Sequence, residues 1–145
     1  MTDSTTFVLD EAFVQQFYTE FLGAGDLAEF AETHFRSDIV WDNFLPEIIP
    51  FGGSWEGRAA VVDFLNLMMG QIRIKAFDIE RILVAGNTAV ITGHEDSDVT
   101  STGQGYGMDW VHILDFDDTG RVARAREYND TAAMQAAFGA DRPRA

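Results

Sequence analysis

Residues 106–129 read YGMDWVHILDF, then DDTG, then RVARAREYN. The first segment alternates: Tyr106, Met108, Trp110, His112, Leu114 and Phe116 share one side of an extended chain and are bulky and mostly apolar. Period two is the mark of a half-buried strand. Asp117, Asp118, Thr119 and Gly120 make a tight turn, which sends residues 121–129 back antiparallel. Upstream, residues 74–84 and 88–99 read as two more strands joined at Ala85, Gly86 and Asn87, and a Ser/Thr/Gly loop at 100–105 leads into the strand at 106. The second half of the chain is therefore an antiparallel sheet, and a twisted sheet of this length curls.

The first half reads differently. Phe13, Val14, Phe17, Tyr18 and Phe21 recur at three- and four-residue steps, which predicts a helix over 10–22 that Gly23 and Gly25 end. Asp26, with Glu29 three residues later, has the capping-box spacing and opens a second helix that runs to about residue 35 and carries Leu27, Phe30 and Ala31 inward. Residues 39–44 read as a short strand, 45–56 as a loop with Ile48, Ile49, Phe51 and Trp55 exposed, and 57–69 as a third helix with Val61, Phe64, Leu65 and Met68 inward. Asp130 caps a last helix over 131–138. Helices first and antiparallel strands second predict an α+β fold. In it, a curved, mostly antiparallel sheet is closed into a cone by three N-terminal helices, with a short C-terminal helix. One domain is expected over 7–138, with flexible termini at 1–6 and 139–145.

Composition narrows the function. The 145 residues carry a net charge of −14 with ten Lys and Arg, so no basic cluster exists for nucleic acid or for an anionic membrane surface. The absence of Cys removes disulfides, thiol catalysis and thiolate metal sites. His34, His94 and His112 lack metal-ligand spacing. No leader or membrane-length apolar run is seen, which makes a cytoplasmic protein the default expectation. Twelve Phe supply apolar surface enough for a core and for the walls of a ligand cavity.

Five segments carry a resemblance: Gly-Ala-Gly-Asp-Leu at 23–27, Asp-Ile-Val-Trp-Asp at 38–42, Gly-Ser-Trp-Glu-Gly-Arg at 53–58, Asp-Asp-Thr-Gly-Arg-Val at 117–122 and Glu-Tyr-Asn-Asp-Thr at 127–131. Together they resemble the nuclear transport factor 2-like superfamily, which includes ketosteroid isomerase, SnoaL-like polyketide cyclases, scytalone dehydratase and limonene epoxide hydrolase. The resemblance implies a cavity for a small apolar metabolite, no metal or organic cofactor, and a homodimer through the outer sheet face, where Val111 and Ile113 lie between Asp109 and Asp115. One fold hosts many chemistries, so the reaction must come from the site.

Two family templates fit. The isomerase-like one makes Asp42 the proton-shuttling base and Tyr18 the tyrosine that polarises an oxygen, with His112 where the isomerases have an Asp. The epoxide hydrolase-like one makes His94, Asp96 and Glu127 a cation between two acids, with Trp41 and Asn43 holding a water. Dehydratase-like sites, in which histidines and an Asp serve as acid–base groups, also match His94 and His112. The leading expectation is isomerisation, cyclisation or dehydration with Asp42 as base, Tyr18 and His112 on an oxygen, and His94 with Asp96 completing the relay. The expected apolar wall is Phe17, Met68, Trp110 and Leu114. Each site residue also has a plainer reading. Asp42 suits a solvated strand end, Tyr18 a helix-face aromatic, His94 to Asp98 a polar strand end, and His112 a hydrogen-bonded core residue. A binding or scaffold domain is the remaining alternative. The templates compete at the first strand, because neighbouring side chains point to opposite faces: either Asp42 faces the cavity or Trp41 and Asn43 do.

Overall fold

The structure, a computed structural model, describes residues 7–139. Of the termini expected to be flexible, 1–6 and 139–145, all but Gly139 lie outside the described residues. Two helices come first, α1 (Glu11–Leu22) and α2 (Leu27–His34), each opened by an Asp. The Asp10 carboxylate accepts the Phe13 N–H at 2.8 Å, and Asp26 accepts those of Ala28 and Glu29. They are followed by β1 (Phe35–Asp42) and β2 (Ser54–Glu56), and only then by α3 (Arg58–Gln71). The third helix is thus separated from the first two by a strand pair. The remaining elements are β3 (Ile72–Ala85), β4 (Thr88–Val99), β5 (Gly105–Phe116), β6 (Val122–Asn129) and α4 (Thr131–Phe138).

The six strands form one sheet in the order β2-β1-β6-β5-β4-β3. Every neighbouring pair is antiparallel except β1 with β6, which run parallel. The sheet is open, with β2 and β3 as its edges, where a closed cone was expected. Bulges interrupt the ladders in β1, at two places in β3, and in the β5–β6 pair. Each adds local bend and twist, and the helices pack over the inner face.

Which residues face inward follows from strand alternation. On β4 the inner set is Ala89, Ile91, Gly93, Glu95, Ser97 and Val99. On β5 it is Tyr106, Met108, Trp110, His112, Leu114 and Phe116, as the alternation predicts. On β6 the bulge beside Asp115 and Phe116 turns Val122, rather than Ala123, inward with Ala125. The loop after β1 is not the exposed segment that its sequence suggests. Ile49 and Phe51 are buried in the core, while Ile48 stays exposed.

Gly93 and Trp110 face each other across the β4–β5 ladder. A Cβ on Gly93 would lie 2.2 Å from the Asp78 carbonyl oxygen and 2.3 Å from the Trp110 ring. Neither neighbour can retreat, since one is backbone and the other is a fully buried indole. The expected outcome for Gly93→Ala is a loss at or above the upper end of the ~1–3 kcal/mol typical of overpacking, read as a lower urea midpoint.

Candidate active site

A cavity of about 40 Å³ lies between α1, α3 and the inner face of the sheet. Phe17, Tyr18, Phe21 and Leu22 come from α1, and Leu65 and Met68 from α3. Trp41 reaches it from β1, and Ile74 and Phe77 from β3. Three polar side chains enter from the sheet: Glu95, His112 and Glu127, one each from β4, β5 and β6.

These groups are connected. The Tyr18 hydroxyl lies 2.8 Å from His112 Nδ1. His112 Nε2 lies 3.4 Å from Glu127 Oε2, and both side chains are largely buried. The other Glu127 oxygen accepts the indole N–H of Trp41. Burial, reinforced by the charge of Glu127, holds the Tyr18 phenol well above its ordinary range, so it stays protonated and able to donate. A carboxylate at Nε2 favours the imidazole proton on that nitrogen, which leaves Nδ1 to accept from Tyr18. Trp41, Glu127, His112 and Tyr18 thus form one buried chain from β1 to α1. His112 also stacks on Trp110, with ring centroids 4.3 Å apart.

Glu95 is the second carboxyl of the cavity. One of its oxygens accepts the Ser97 hydroxyl at 2.7 Å and the Tyr106 hydroxyl at 2.9 Å. Burial outweighs these bonds and raises the Glu95 pKa above the usual glutamate value. Burial, with Glu95 beside it, also raises that of Tyr106. Nothing in the sequence reading singled out Glu95, which lay hidden in the run His94-Glu95-Asp96-Ser97-Asp98. The signal was the parity of β4. Its even positions carry His94, Asp96 and Asp98, whereas Glu95 is the only charged residue of the odd set.

The structure brings together Tyr18, Trp41, His112 and Glu127, with Phe17 and Met68 in the wall, and separates the rest. Asp42 alternates with Trp41 and so points to the opposite face, where its carboxylate meets Arg124 at 3.3 Å. His94 and Asp96 are also on the outer face. There His94 lies 2.9 Å from Asp109 and 3.3 Å from Asp96. Those carboxylates, Asp109 foremost, raise the His94 pKa. Asn43 is buried but does not line the cavity. Its side chain donates to the Phe51 carbonyl and accepts from the Leu45 and Gly53 N–H groups, bracing the loop between β1 and β2. Trp110 and Leu114 are core residues outside the wall. Among the described residues no group of three or more acidic, His or Cys side chains is placed to hold a metal ion, and no helix is long and apolar enough to cross a membrane.

A SnoaL-like domain family matches residues 14–125. The chain belongs to the SnoaL-like family. Among solved structures, an NTF2-like protein from Burkholderia xenovorans is 25% identical with a TM-score of 0.76, over 88% of this chain and 94% of that one. A Catenulispora acidiphila protein with a ketosteroid isomerase-like fold, solved with trimethylamine, is 12% identical over 94% of this chain and all of its own, 100%, with a TM-score of 0.73. TerC, co-crystallised with polyporic acid, is 21% identical over 88% of this chain and 95% of its own, with a TM-score of 0.68. The last two likenesses establish the fold alone. No curated protein matches the sequence. The open sheet with its covering helices is therefore the NTF2-like fold of the SnoaL-like and ketosteroid isomerase-like proteins.

A raised native pKa makes the stability owed to Glu95 complete below its unfolded value, near 4.5, and lost as pH rises through the native value. Glu95→Gln keeps a neutral group with an acceptor oxygen at every pH. It is expected to gain on the wild type as pH is taken from about 4 to about 8, measured by urea midpoints. A constant difference between the two proteins would rule this out.

Proposed function

We propose that this SnoaL-like protein is a cofactor-independent acid–base enzyme that isomerises, cyclises or dehydrates a small, mostly apolar metabolite bearing a carbonyl or hydroxyl oxygen. The observation that carries this is the chain Trp41–Glu127–His112–Tyr18 ending in an apolar cavity shared with Glu95. Glu127 is the base for a proton next to a carbonyl, with the Trp41 N–H holding one of its oxygens in place. Glu95, whose proton burial favours, is the acid toward the substrate oxygen. His112, held by Tyr18, balances the charge that builds beside Glu127. Apolar walls keep bulk water away, which strengthens each of these interactions. Polyporic acid in TerC is an example of the kind of ligand this fold accepts, and it serves as a first probe.

The test is turnover, or hydrogen–deuterium exchange next to a carbonyl, across a panel of small enones and phenolic ketones. Glu127→Gln is expected to lose about 10²–10⁴-fold and Glu95→Ala to lose more than Glu95→Gln, which keeps a donor. Asp42→Asn and Asp96→Asn are expected to stay near wild type, because both carboxylates face away from the cavity. Loss of turnover in either of them would overturn this assignment. Two carboxyls in unlike settings also suit addition of water to an epoxide, so oxygen from labelled water in the product would assign Glu95 and Glu127 to hydrolysis instead.

We further propose a homodimer that meets through the outer face of β5, where Val111 and Ile113 are only half buried in the single chain. Ile113→Lys is expected to give monomers by light scattering with unchanged circular dichroism.

A further inference from the structure

A second chamber, of about 20 Å³, adjoins the first. Its walls come from the loop between β1 and β2, the bases of β3 to β6 and α4. Met108 and Met134 are there with Phe51 and Tyr106, and Asn129 adds a polar contact. Met68, Glu95 and Glu127 line both chambers. The two carboxyls therefore stand at the boundary, and Met68 is the one apolar side chain common to both walls.

Volume decides what each chamber can take. One water needs roughly 10–15 Å³ measured in this way, and its share of liquid volume is about 30 Å³. The first chamber then holds about three waters, the bulk of a single ring, and the second holds one or two. A fused-ring ligand exceeds either. Met68 is well suited to yield: an unbranched thioether changes rotamer at low cost, and Met68 is only partly buried on the last turns of α3. The second chamber shares that adaptability, because Met108 and Met134 line it together with Met68.

We propose that Met68 is a movable partition and the specificity-determining residue of the site. Its rotation joins the two chambers into one elongated cavity for a fused-ring, mostly apolar ligand, with the ligand's middle between Glu95 and Glu127 and its far end beside Asn129. This rests on the small-ligand reading above, but it concerns ligand length rather than chemistry.

The experiment uses phenol and naphthol as one-ring and two-ring probes on full-length protein labelled at the methionine methyls. The chain has five Met, so the spectrum can be assigned by substitution. Phenol is expected to shift the Met68 methyl alone. Naphthol is expected to shift Met68, Met108 and Met134 together. Met68→Ala is expected to tighten naphthol at least tenfold while phenol changes less than threefold. Met134→Phe, with folding checked by circular dichroism, is expected to weaken naphthol tenfold and leave phenol unchanged. Equal responses of both probes to Met68→Ala, or naphthol shifts confined to Met68, would overturn the partition while leaving the enzyme reading intact. Failure of both probes and of polyporic acid to bind any variant would overturn the small-ligand reading and the partition with it.

Discussion

Trp110 can lie flat against β4 because the residue opposite it, Gly93, has no side chain. Burying an indole of about 200 Å² is worth about 5 kcal/mol at about 25 cal/mol per Å². Its buried N–H has no hydrogen-bond partner among the described residues, which costs about 1–3 kcal/mol. The balance favours burial, but only in the one register that places glycine there. A slip by one residue would put His94 against the indole and turn every side chain of β4 to the other face. Glu95 would leave the cavity, and the charged pair His94 and Asp96 would enter it. The Gly93–Trp110 pairing thus decides which acid the site contains.

The same pairing supports the surroundings of Glu127. Trp110 stacks with Phe77, at 4.7 Å, and with His112, at 4.3 Å, and the Tyr18 ring lies 6.2 Å away. Stacking fixes the plane of the imidazole. The Tyr18 hydroxyl at Nδ1 and Glu127 at Nε2 then fix its rotation within that plane. Polar groups this deeply buried destabilise a fold unless each finds a partner. Here one chain of contacts partners four side chains from four elements, α1, β1, β5 and β6. Helix α1 is thereby tied to the sheet by a polar contact as well as by Phe17 and its aromatic neighbours.

What was legible in the sequence follows the strength of the local signal. The bounds of β4 and α4, the inward face of β5, and the Asp caps of α2 and α4 were readable, because period two, helical spacing and capping chemistry are local. His112 stood on that inward face of β5, whereas Glu127, Tyr18 and Trp41 were candidates through the family templates alone. The open sheet and β2 were not readable, since a three-residue edge strand exists only through its pairing with β1 across the intervening loop. The inward turn of Ile49 and Phe51 depends on the Asn43 side chain closing the loop over them. Gap-free transfer from family templates failed on β4. It landed on His94 and Asp96, one position to either side of the inward Glu95, and in a strand one position reverses the face. Asp42 failed in the same way beside Trp41.

Glu95 and Glu127 differ in what holds them, and that difference makes a division of labour physically reasonable. Glu127 receives an indole N–H and faces an imidazole. Glu95 receives only two hydroxyls, and these do not outweigh its burial, so its charge is disfavoured. Two carboxyls on one cavity repel when both are ionised, and each step that favours charge on one disfavours it on the other. The proposed division of roles therefore gives the proton to Glu95, whose burial raises its pKa, and the part of the base to Glu127. On the proposed reading, an apolar molecule lying between them meets a base on one side and an acid on the other, an arrangement that requires no third group to supply or remove the proton.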